Sequence, residues 1–197
     1  MRVGVHATGT PGAHAHAGDA AWLASLCALA LLACGGGHRG VTPRLTCGGA
    51  TAPGTDQIAF ACPSRPATPI AVQVVIGPTS SSDVYGIKFD VVFDPAVLAF
   101  DPPAIEGSFL GRDGNPTVLE AATQSGDPGR LVVAITRQGA VGGIGASSAQ
   151  TTVVTLPFTG VAPGTASLVF ENATAVDPGL FPIAAIHFGS PVSVTFQ

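Results

Sequence analysis

From Ile70 to the end of the chain, apolar residues recur at every second position in short segments that turn residues separate. Alternation with a period of two is typical of β-strands that bury one face and expose the other. Six such segments cover residues 72–76, 85–93, 131–135, 154–158, 166–170 and 192–196. Because each strand buries a single face, the segments bury these faces together only if two sheets pack against each other. The sequence therefore predicts an all-β fold, a two-sheet antiparallel sandwich, over residues 70–197.

The composition and the turn residues favour the same fold class. Glycine and proline are abundant, with 26 and 17 residues, whereas charged residues make up only 10% of the chain. A chain with few Lys and Glu residues has few strong helix formers. Turns are predicted where Asp precedes Pro or Pro precedes Gly, at residues 94–95, 101–102, 127–129, 163–164 and 177–179. A single helical turn is predicted at residues 95–98, with Asp94 as its N-cap.

The segment before the sandwich contains an apolar run that ends at a cysteine. Residues 20–33 form an uncharged apolar run of 14 residues, shorter than the roughly 20 residues that span a bilayer. The run ends in Leu-Leu-Ala before Cys34, which resembles the lipobox at the end of a bacterial lipoprotein leader. This resemblance implies that Cys34 is the lipid attachment site. We therefore predict a signal peptide over residues 1–33 and a lipidated, flexible Gly/Pro/Thr-rich tether over residues 34–69. The alternative is a buried hydrophobic helix with a chance cysteine.

Two of the four cysteines remain after this assignment. Cys27 leaves with the leader and Cys34 is acylated, so Cys47 and Cys62 form an even pair in an oxidising compartment. A disulfide between them would close a loop of about 15 residues and contribute about 3 kcal/mol. The alternative is two free thiols in a mobile linker. Neither cysteine has the CxxC partner or nearby His that a zinc or redox site needs.

Three motifs follow one another along the predicted sandwich. Residues 84–100, VYGIKFDVVFDPAVLAF, resemble an early cohesin strand that runs into a (Y/F)DP-x-VL turn. Residues 155–172, TLPFTGVAPGTASLVFEN, and the last strand from Gly189 to Val194 resemble later strands of the family. The resemblance covers nearly all of residues 70–197. It implies a jelly-roll sandwich of about nine strands that binds a partner, a dockerin in cohesins, through the outer face of one sheet.

One strand carries the candidate partner surface. Val132, Ala134 and Thr136 alternate with the inward set of residues 131, 133 and 135, so this strand is predicted to present apolar residues outward as a partner-facing strand. The alternative is that a loop at residues 139–149 covers it. Sugar-binding sandwiches present exposed aromatic rings. After the leader the chain has no Trp, and its single Tyr85 is predicted to face inward with Ile87 and Phe89.

No catalytic, metal or cofactor site is predicted. After the leader only His38 and His187 remain, and Glu106, Glu120 and Glu171 are each expected beside a strand end or turn. Residues 113–115, Asp-Gly-Asn, lack the further oxygen ligands of a calcium loop. The net charge is −4 without a Lys/Arg cluster, which disfavours nucleic-acid binding.

We therefore expect a monomeric, non-catalytic, lipid-anchored binding module in the bacterial cell envelope, at the outer membrane, or extracellular. Its expected partner is a secreted, dockerin-like protein with a link to polysaccharide degradation, and the lipid anchor is its one expected contact with a membrane. Two alternatives remain: a carbohydrate-binding module that holds an envelope protein at polysaccharide, and a structural envelope protein.

Overall fold

A computed structural model describes residues 42–80 and 83–197, which form two packed six-stranded sheets. The strands are β1 (Leu45–Gly48), β2 (Gln57–Ala61), β3 (Ile70–Ile76), β4 (Gly86–Val92), β5 (Leu98–Phe100), β6 (Ile105–Glu106), β7 (Thr117–Gln124), β8 (Asp127–Arg137), β9 (Thr151–Gly160), β10 (Gly164–Val176), β11 (His187–Phe188) and β12 (Val192–Phe196). The front sheet has the order β1-β12-β10-β4-β8-β7, and the back sheet the order β11-β2-β3-β9-β5, with β6 also paired to β9. The predicted all-β sandwich is confirmed.

The structure has twelve strands where the resemblance implied about nine. Three of the additional strands, β5, β6 and β11, are only two or three residues long. β11 also pairs parallel to β2, whereas every other strand pair is antiparallel. Within residues 42–80 and 83–197, no helix has the length and hydropathy needed to cross a membrane.

The predicted tether is wrong for residues 42–69, because this segment contains two strands of the sandwich. β1 pairs with the last strand, Leu45 opposite Phe196, and β2 pairs with β3. The side chains of Leu45, Ile58 and Phe60 are at most 1% exposed. Short strands of four or five residues between Gly, Pro and Thr residues bury as much side chain as longer ones when they lie against a core. The predicted signal peptide (1–33) and Cys34 lie outside the described residues.

The core lies between the two sheets and consists of the alternating apolar residues. Phe89 of the front sheet and Phe158 of the back sheet are fully buried, and Phe158 meets the ring of Phe93 edge-on with centroids 5.3 Å apart. Phe60 stacks on Phe170 with centroids 3.9 Å apart. The prediction that Tyr85 faces the core is wrong. Tyr85 precedes β4 and is only half-buried, and its hydroxyl donates to the carbonyl of Gly139 at 3.0 Å, while the residue before it is fully buried instead.

A disulfide joins the two sheets. Cys47 lies on β1 of the front sheet and Cys62 directly follows β2 of the back sheet. Their sulfur atoms are bonded, with Cα atoms 5.3 Å apart, as the cysteine count predicted. Both residues pack against the core cluster. The bond therefore links the front and back sheets near the point where the described chain begins.

The turns agree with the sequence in two places and differ in one. The Asp94 side chain accepts a hydrogen bond from the amide of Ala96 at 2.9 Å, as expected of the predicted cap, and a turn lies at residues 177–180. The turn predicted at residues 127–129 lies instead at residues 125–126, where Gly126 has a φ of +81°. A glycine adopts this left-handed conformation without strain, so the hairpin turns at Gly126 and β8 already begins at Asp127.

Candidate partner-binding face

The strand predicted to face a partner lies in the middle of the front sheet, between β4 and β7. Along β8 the buried positions alternate with half-buried ones, and Val132, Ala134 and Thr136 occupy the half-buried, outward positions. The inward positions include Leu131 and Val133, which are fully buried in the core. Successive side chains of a strand point to opposite faces, so this order follows directly from the sequence. The structure thus places all three residues on the outer face of the front sheet.

Pairing with the neighbouring strands extends this surface into rows across the front sheet, which we call the front face. Each row runs from β7 through β8 and β4 to β10. The rows are Val118–Thr136–Gly86–Val176, Glu120–Ala134–Lys88–Thr174 and Ala122–Val132–Asp90–Glu171, followed by Arg130–Val92–Val169 without a partner from β7. The first row is uncharged, and the charged side chains lie in the later rows. The front face therefore has an uncharged end and a charged end.

A shallow depression of about 120 Å³ marks the uncharged end of the front face. Its floor is Gly86, because a Cβ atom there would lie 3.2 Å from Oγ1 of Thr136 and 3.3 Å from Cγ2 of Val176. Lys88 and Thr174 border it on the side of the second row. The depression is thus a place where the side chain of another molecule can approach the backbone of β4.

An ion-pair cluster occupies the charged end. Asp90 is 5% exposed, and its Oδ2 accepts hydrogen bonds from Arg130 at 2.9 Å and from the side-chain amide of Asn172 at 2.7 Å. Arg130 also donates to Glu171 at 2.7 Å and to Asp127 at 3.4 Å. The carboxylates of Glu171 and Asp90 raise the pKa of Arg130 above its ordinary value. Asn172 reaches Asp90 from an irregularity in the pairing of β10 with β4, where it has a φ of +47°.

Loop 139–149, which the alternative prediction placed over β8, closes the end of the sandwich instead. Its Ile144 is 3% exposed within the core cluster and pairs with Val84. Its Ser147 pairs with Thr79, and its Gly143 amide donates to the side chain of Asp83. All residues that line the depression belong to β4, β8 and β10. The loop does not cover the depression because its apolar side chain is used in the core.

A buried arginine fixes the loop that leads into β7. Arg137 occupies an inward position of β8 with its side chain 1% exposed, and it donates to the Leu110 carbonyl and to both carboxylate oxygens of Asp113, at 3.1 and 2.6 Å. The Arg137 guanidinium, followed by the side-chain amide of Asn115, holds the pKa of Asp113 well below its usual range. Asp113 of the Asp-Gly-Asn segment thus forms a two-point ion pair with Arg137, and this pair anchors the loop before β7.

The remaining titratable residues of the described part of the chain do not form a common cluster. Glu120 and Glu171 lie inside β7 and β10, so the expectation that they adjoin a strand end or turn is wrong for both. Glu106 is on β6, where it accepts a hydrogen bond from Thr117, and His187 is exposed on β11. Among residues 42–80 and 83–197 no three His, Cys, Asp or Glu side chains come together as a metal site would require. The front face offers apolar contact and fixed charges, which are suited to binding.

Sequence reasoning missed two features of this surface. The first is the ion-pair cluster, although Arg130 shares the outward phase of Val132 and Asp90 shares that of Lys88. The period of two was a sufficient signal for both residues, but their neighbours on β10 depend on a strand order that no local pattern encodes. The second is the segment after β10, where Leu180 and Phe181 are 68% and 69% exposed. Its only signal was a pair of large apolar residues between a glycine and a proline.

Comparison with known proteins places the fold. No protein-family model matches the chain. No curated protein matches it either. Among solved structures, the sixth cohesin of scaffoldin B from Acetivibrio cellulolyticus, solved in complex with a Cel5 dockerin, has a TM-score of 0.51 at 17% identity, covering 68% of this chain and 93% of that chain. A type II cohesin domain from the cellulosome of the same species has a TM-score of 0.51 at 15% identity, covering 70% of this chain and 93% of that chain.

A third solved structure is a type II cohesin dyad from the ScaA scaffoldin of Acetivibrio cellulolyticus. It has a TM-score of 0.51 at 16% identity, covering 72% of this chain and 47% of that chain. The architecture of the described residues is thus a jelly-roll β-sandwich. More narrowly, it is the cohesin fold, as the three motifs predicted. At these identities the likeness is one of fold.

Proposed function

We propose that this chain is a non-catalytic protein-binding module whose front face holds a secreted partner protein. The observation that carries the proposal is the outer surface of β8 and its neighbours, where, within residues 42–80 and 83–197, Val132 and Ala134 stay partly exposed and a depression lies over Gly86. A domain that shares this fold has been solved in complex with a dockerin, which supports a protein as the partner. A dockerin-like protein is the finer form of the proposal, and a link to polysaccharide degradation depends on that partner.

The charges of the front face define the chemistry of the partner. Four carboxylates, those of residues 90, 120, 127 and 171, stand against two cations, Lys88 and Arg130, and leave two negative charges in excess. These charges lie beyond the uncharged first row. A partner complementary to this surface presents apolar side chains towards the depression and basic side chains towards the Asp90 cluster.

We also propose that the module is a lipid-anchored monomer of the bacterial cell envelope, at the outer membrane or extracellular. The apolar run at residues 20–33, followed by Cys34, supports the anchor. The Cys47–Cys62 disulfide supports an oxidising compartment. Replacing Cys34 with Ser should release the protein from the membrane fraction to the soluble fraction. Unchanged fractionation, or a mature N-terminus without acyl chains in mass spectrometry, would contradict the anchor.

The binding proposal is tested with a charge placed on the front face. In Ala134→Arg a long cation stands in the middle of the proposed interface, and in the matched control Ala71→Arg it stands on the exposed outer side of β3 in the back sheet. Proteins of the source's secretome captured by the wild-type domain are quantified by mass spectrometry and then purified for affinity measurements. We expect Ala134→Arg to weaken binding at least about tenfold, and Ala71→Arg less than about twofold.

If the two variants bind the partner equally well, the interface does not lie on the front face. The carbohydrate alternative is checked in parallel by electrophoresis through gels that contain cellulose, xylan or chitin. Retarded migration of the wild-type domain, together with no captured protein, would favour sugar binding over the proposed function.

A further inference from the structure

The second row of the front face carries two exposed charges of opposite sign that form no ion pair with the described residues. They are Glu120 on β7 and Lys88 on β4, and Ala134 of β8 lies between them. The ion pairs within residues 42–80 and 83–197 are all made by two arginines, 130 and 137, and include neither of these side chains. Water therefore solvates both charges in the free domain.

The spacing of the strands keeps the two charges apart. Neighbouring strands lie about 4.8 Å apart, so two spacings put roughly 10 Å between the backbones of Glu120 and Lys88. Ala134, between them, is small and neutral, and Thr174, on the other side of Lys88, is also neutral. The row therefore displays one negative and one positive charge at separate positions.

The charged end of the front face, by contrast, satisfies most of its charges internally. Oδ2 of Asp90 accepts hydrogen bonds from both Arg130 and Asn172. Arg130 in turn donates to three carboxylates. The cluster attracts basic groups through its excess negative charge, but its central hydrogen bonds are already made. The charges that still need partners lie in the second row.

Covering the front face removes water from these two charges. Lys88 borders the depression over Gly86, and two residues along β4 span about 7 Å. A partner side chain that fills the depression therefore brings the surface of the partner over the Lys88 ammonium. A charge that loses its water without gaining an opposite charge weakens binding, whereas a counter-charge on the partner compensates for the loss.

We propose that Lys88 and Glu120 select and orient the partner, which presents a carboxylate to Lys88 and a basic side chain to Glu120, about 10 Å apart. This inference rests on the proposed function and names the charged groups of that partner. Turning the partner by a half-turn about the normal of the sheet would set like charges against each other, so the row admits one orientation. A carboxylated polysaccharide would pair with Lys88 and leave Glu120 unpaired, so the two signs together point to a protein.

The first test exchanges the two charges. The double variant Lys88→Glu and Glu120→Lys of the full chain keeps the net charge, so long-range attraction is unaltered and only the arrangement of the charges differs. The probe is the protein that the wild type captures from the source's secretome, after purification. We expect the exchange to weaken binding at least about tenfold. Thermal unfolding checks that the variant keeps the fold, which surface substitutions generally do.

Two single variants separate the position of a charge from the net charge. Lys88→Glu and Arg65→Glu change the net charge by the same amount, but Arg65 is exposed in the loop between β2 and β3, outside the front face. We expect Lys88→Glu to weaken binding at least about tenfold, and Arg65→Glu less than about threefold. Lys88→Arg keeps the cation and should bind within about threefold of the wild type.

The second test identifies the group opposite Lys88. Lys88 is the only lysine of the chain, so a carbodiimide, which condenses an amine with a carboxylate beside it, reports on this one contact. We expect mass spectrometry of the treated complex to show a peptide in which Lys88 is joined to an Asp or Glu of the partner. Lys88→Arg lacks the amine and should lose this product while it still binds.

The outcomes separate this inference from the proposed function. If Ala134→Arg weakens binding and the charge exchange leaves it unaltered, the role of the two charges is overturned and the proposed function is retained. Equal losses in Lys88→Glu and Arg65→Glu, or a complex in which Lys88 is joined to Glu120 and not to the partner, overturn it as well. If Ala134→Arg binds as well as Ala71→Arg, the proposed function fails, and this inference fails with it.

Discussion

Breaking the Cys47–Cys62 bond should destabilise the domain by about 3 kcal/mol. The two cysteines are separated by 15 residues. In the chain-entropy model, opening a loop of this length restores about 10 cal/mol/K to the unfolded chain, which is about 3 kcal/mol at 25 °C. The bond also cross-links β1 of the front sheet to the residue after β2 of the back sheet, so its loss leaves only the backbone to join these two strands.

The assay compares three samples by urea unfolding at equilibrium, followed by intrinsic Tyr85 fluorescence and circular dichroism. The samples are the oxidised wild type, the wild type in reductant and the double variant Cys47→Ala and Cys62→Ala. With a urea slope of about 2 kcal/mol per molar, the midpoint should fall by roughly 1.5 M in the reduced wild type. The urea midpoint of the double variant should be slightly lower still, because both cysteines pack against the core cluster.

A midpoint that changes by less than about 0.5 M on reduction would refute this reasoning. It would mean that residues 47–62 are already constrained in the unfolded chain, so that the bond removes little entropy from it. A reduced protein that loses only the signals of β1 and β2, and unfolds in two steps, would show that these strands fold separately from the rest of the sandwich.

Three further predictions concern single side chains. Arg137→Met should lower the free energy of unfolding by about 1–3 kcal/mol, because the Leu110 carbonyl loses its buried donor, and urea unfolding measures it. The pKa of Asp113 is lowered in the folded state, so its stabilising contribution should be complete above about pH 4 and be lost as the pH falls through the folded pKa. The difference in the free energy of unfolding between wild type and Asp113→Asn, measured from pH 7 to pH 2, should therefore narrow only in acid. A difference that does not depend on pH would contradict this. Gly86→Ala should leave stability within about 1 kcal/mol and weaken partner binding by filling the depression, as titration calorimetry can measure; stronger binding would contradict the role of the depression.

The period of two was sufficient to predict the fold class and the outward residues of β8. It assigns Leu131 inward and Ala134 outward without any knowledge of the neighbouring strands, because side-chain direction is a local property of a strand. It failed for β1, whose four residues lie in a segment rich in Gly, Pro and Thr. Their strand conformation depends on pairing with β12, nearly 150 residues away in the chain, and no local pattern records such a partner.

The candidate site, like the fold, was predictable from the sequence only in part. The outward residues of β8 were predictable, whereas the Asp90–Arg130–Glu171 cluster requires β10, β4 and β8 to be neighbours, which the sequence does not state. Arg137 is the clearest case. Its position in the alternation is inward, where a charged residue is unexpected, and its partners are a carbonyl and a carboxylate on a loop some 25 residues earlier. Tertiary contacts of this kind decide which polar residue is tolerated in a core.

The pairing of the first strand with the last has a mechanical consequence. β1 enters the front sheet at Leu45, at the end of the sheet away from the depression, and runs antiparallel to β12 over four residue pairs. A tension applied between residue 42 and a molecule seated on the front face is directed along the strands. The hydrogen bonds of the β1–β12 ladder then resist in shear, all at once, and do not open one after another as in a zipper. Peeling from the N-terminal side is also arrested at Cys47, where the disulfide passes the force to the back sheet. A first strand clamped in this way withstands a pull on residue 42 that would unravel an unclamped edge strand.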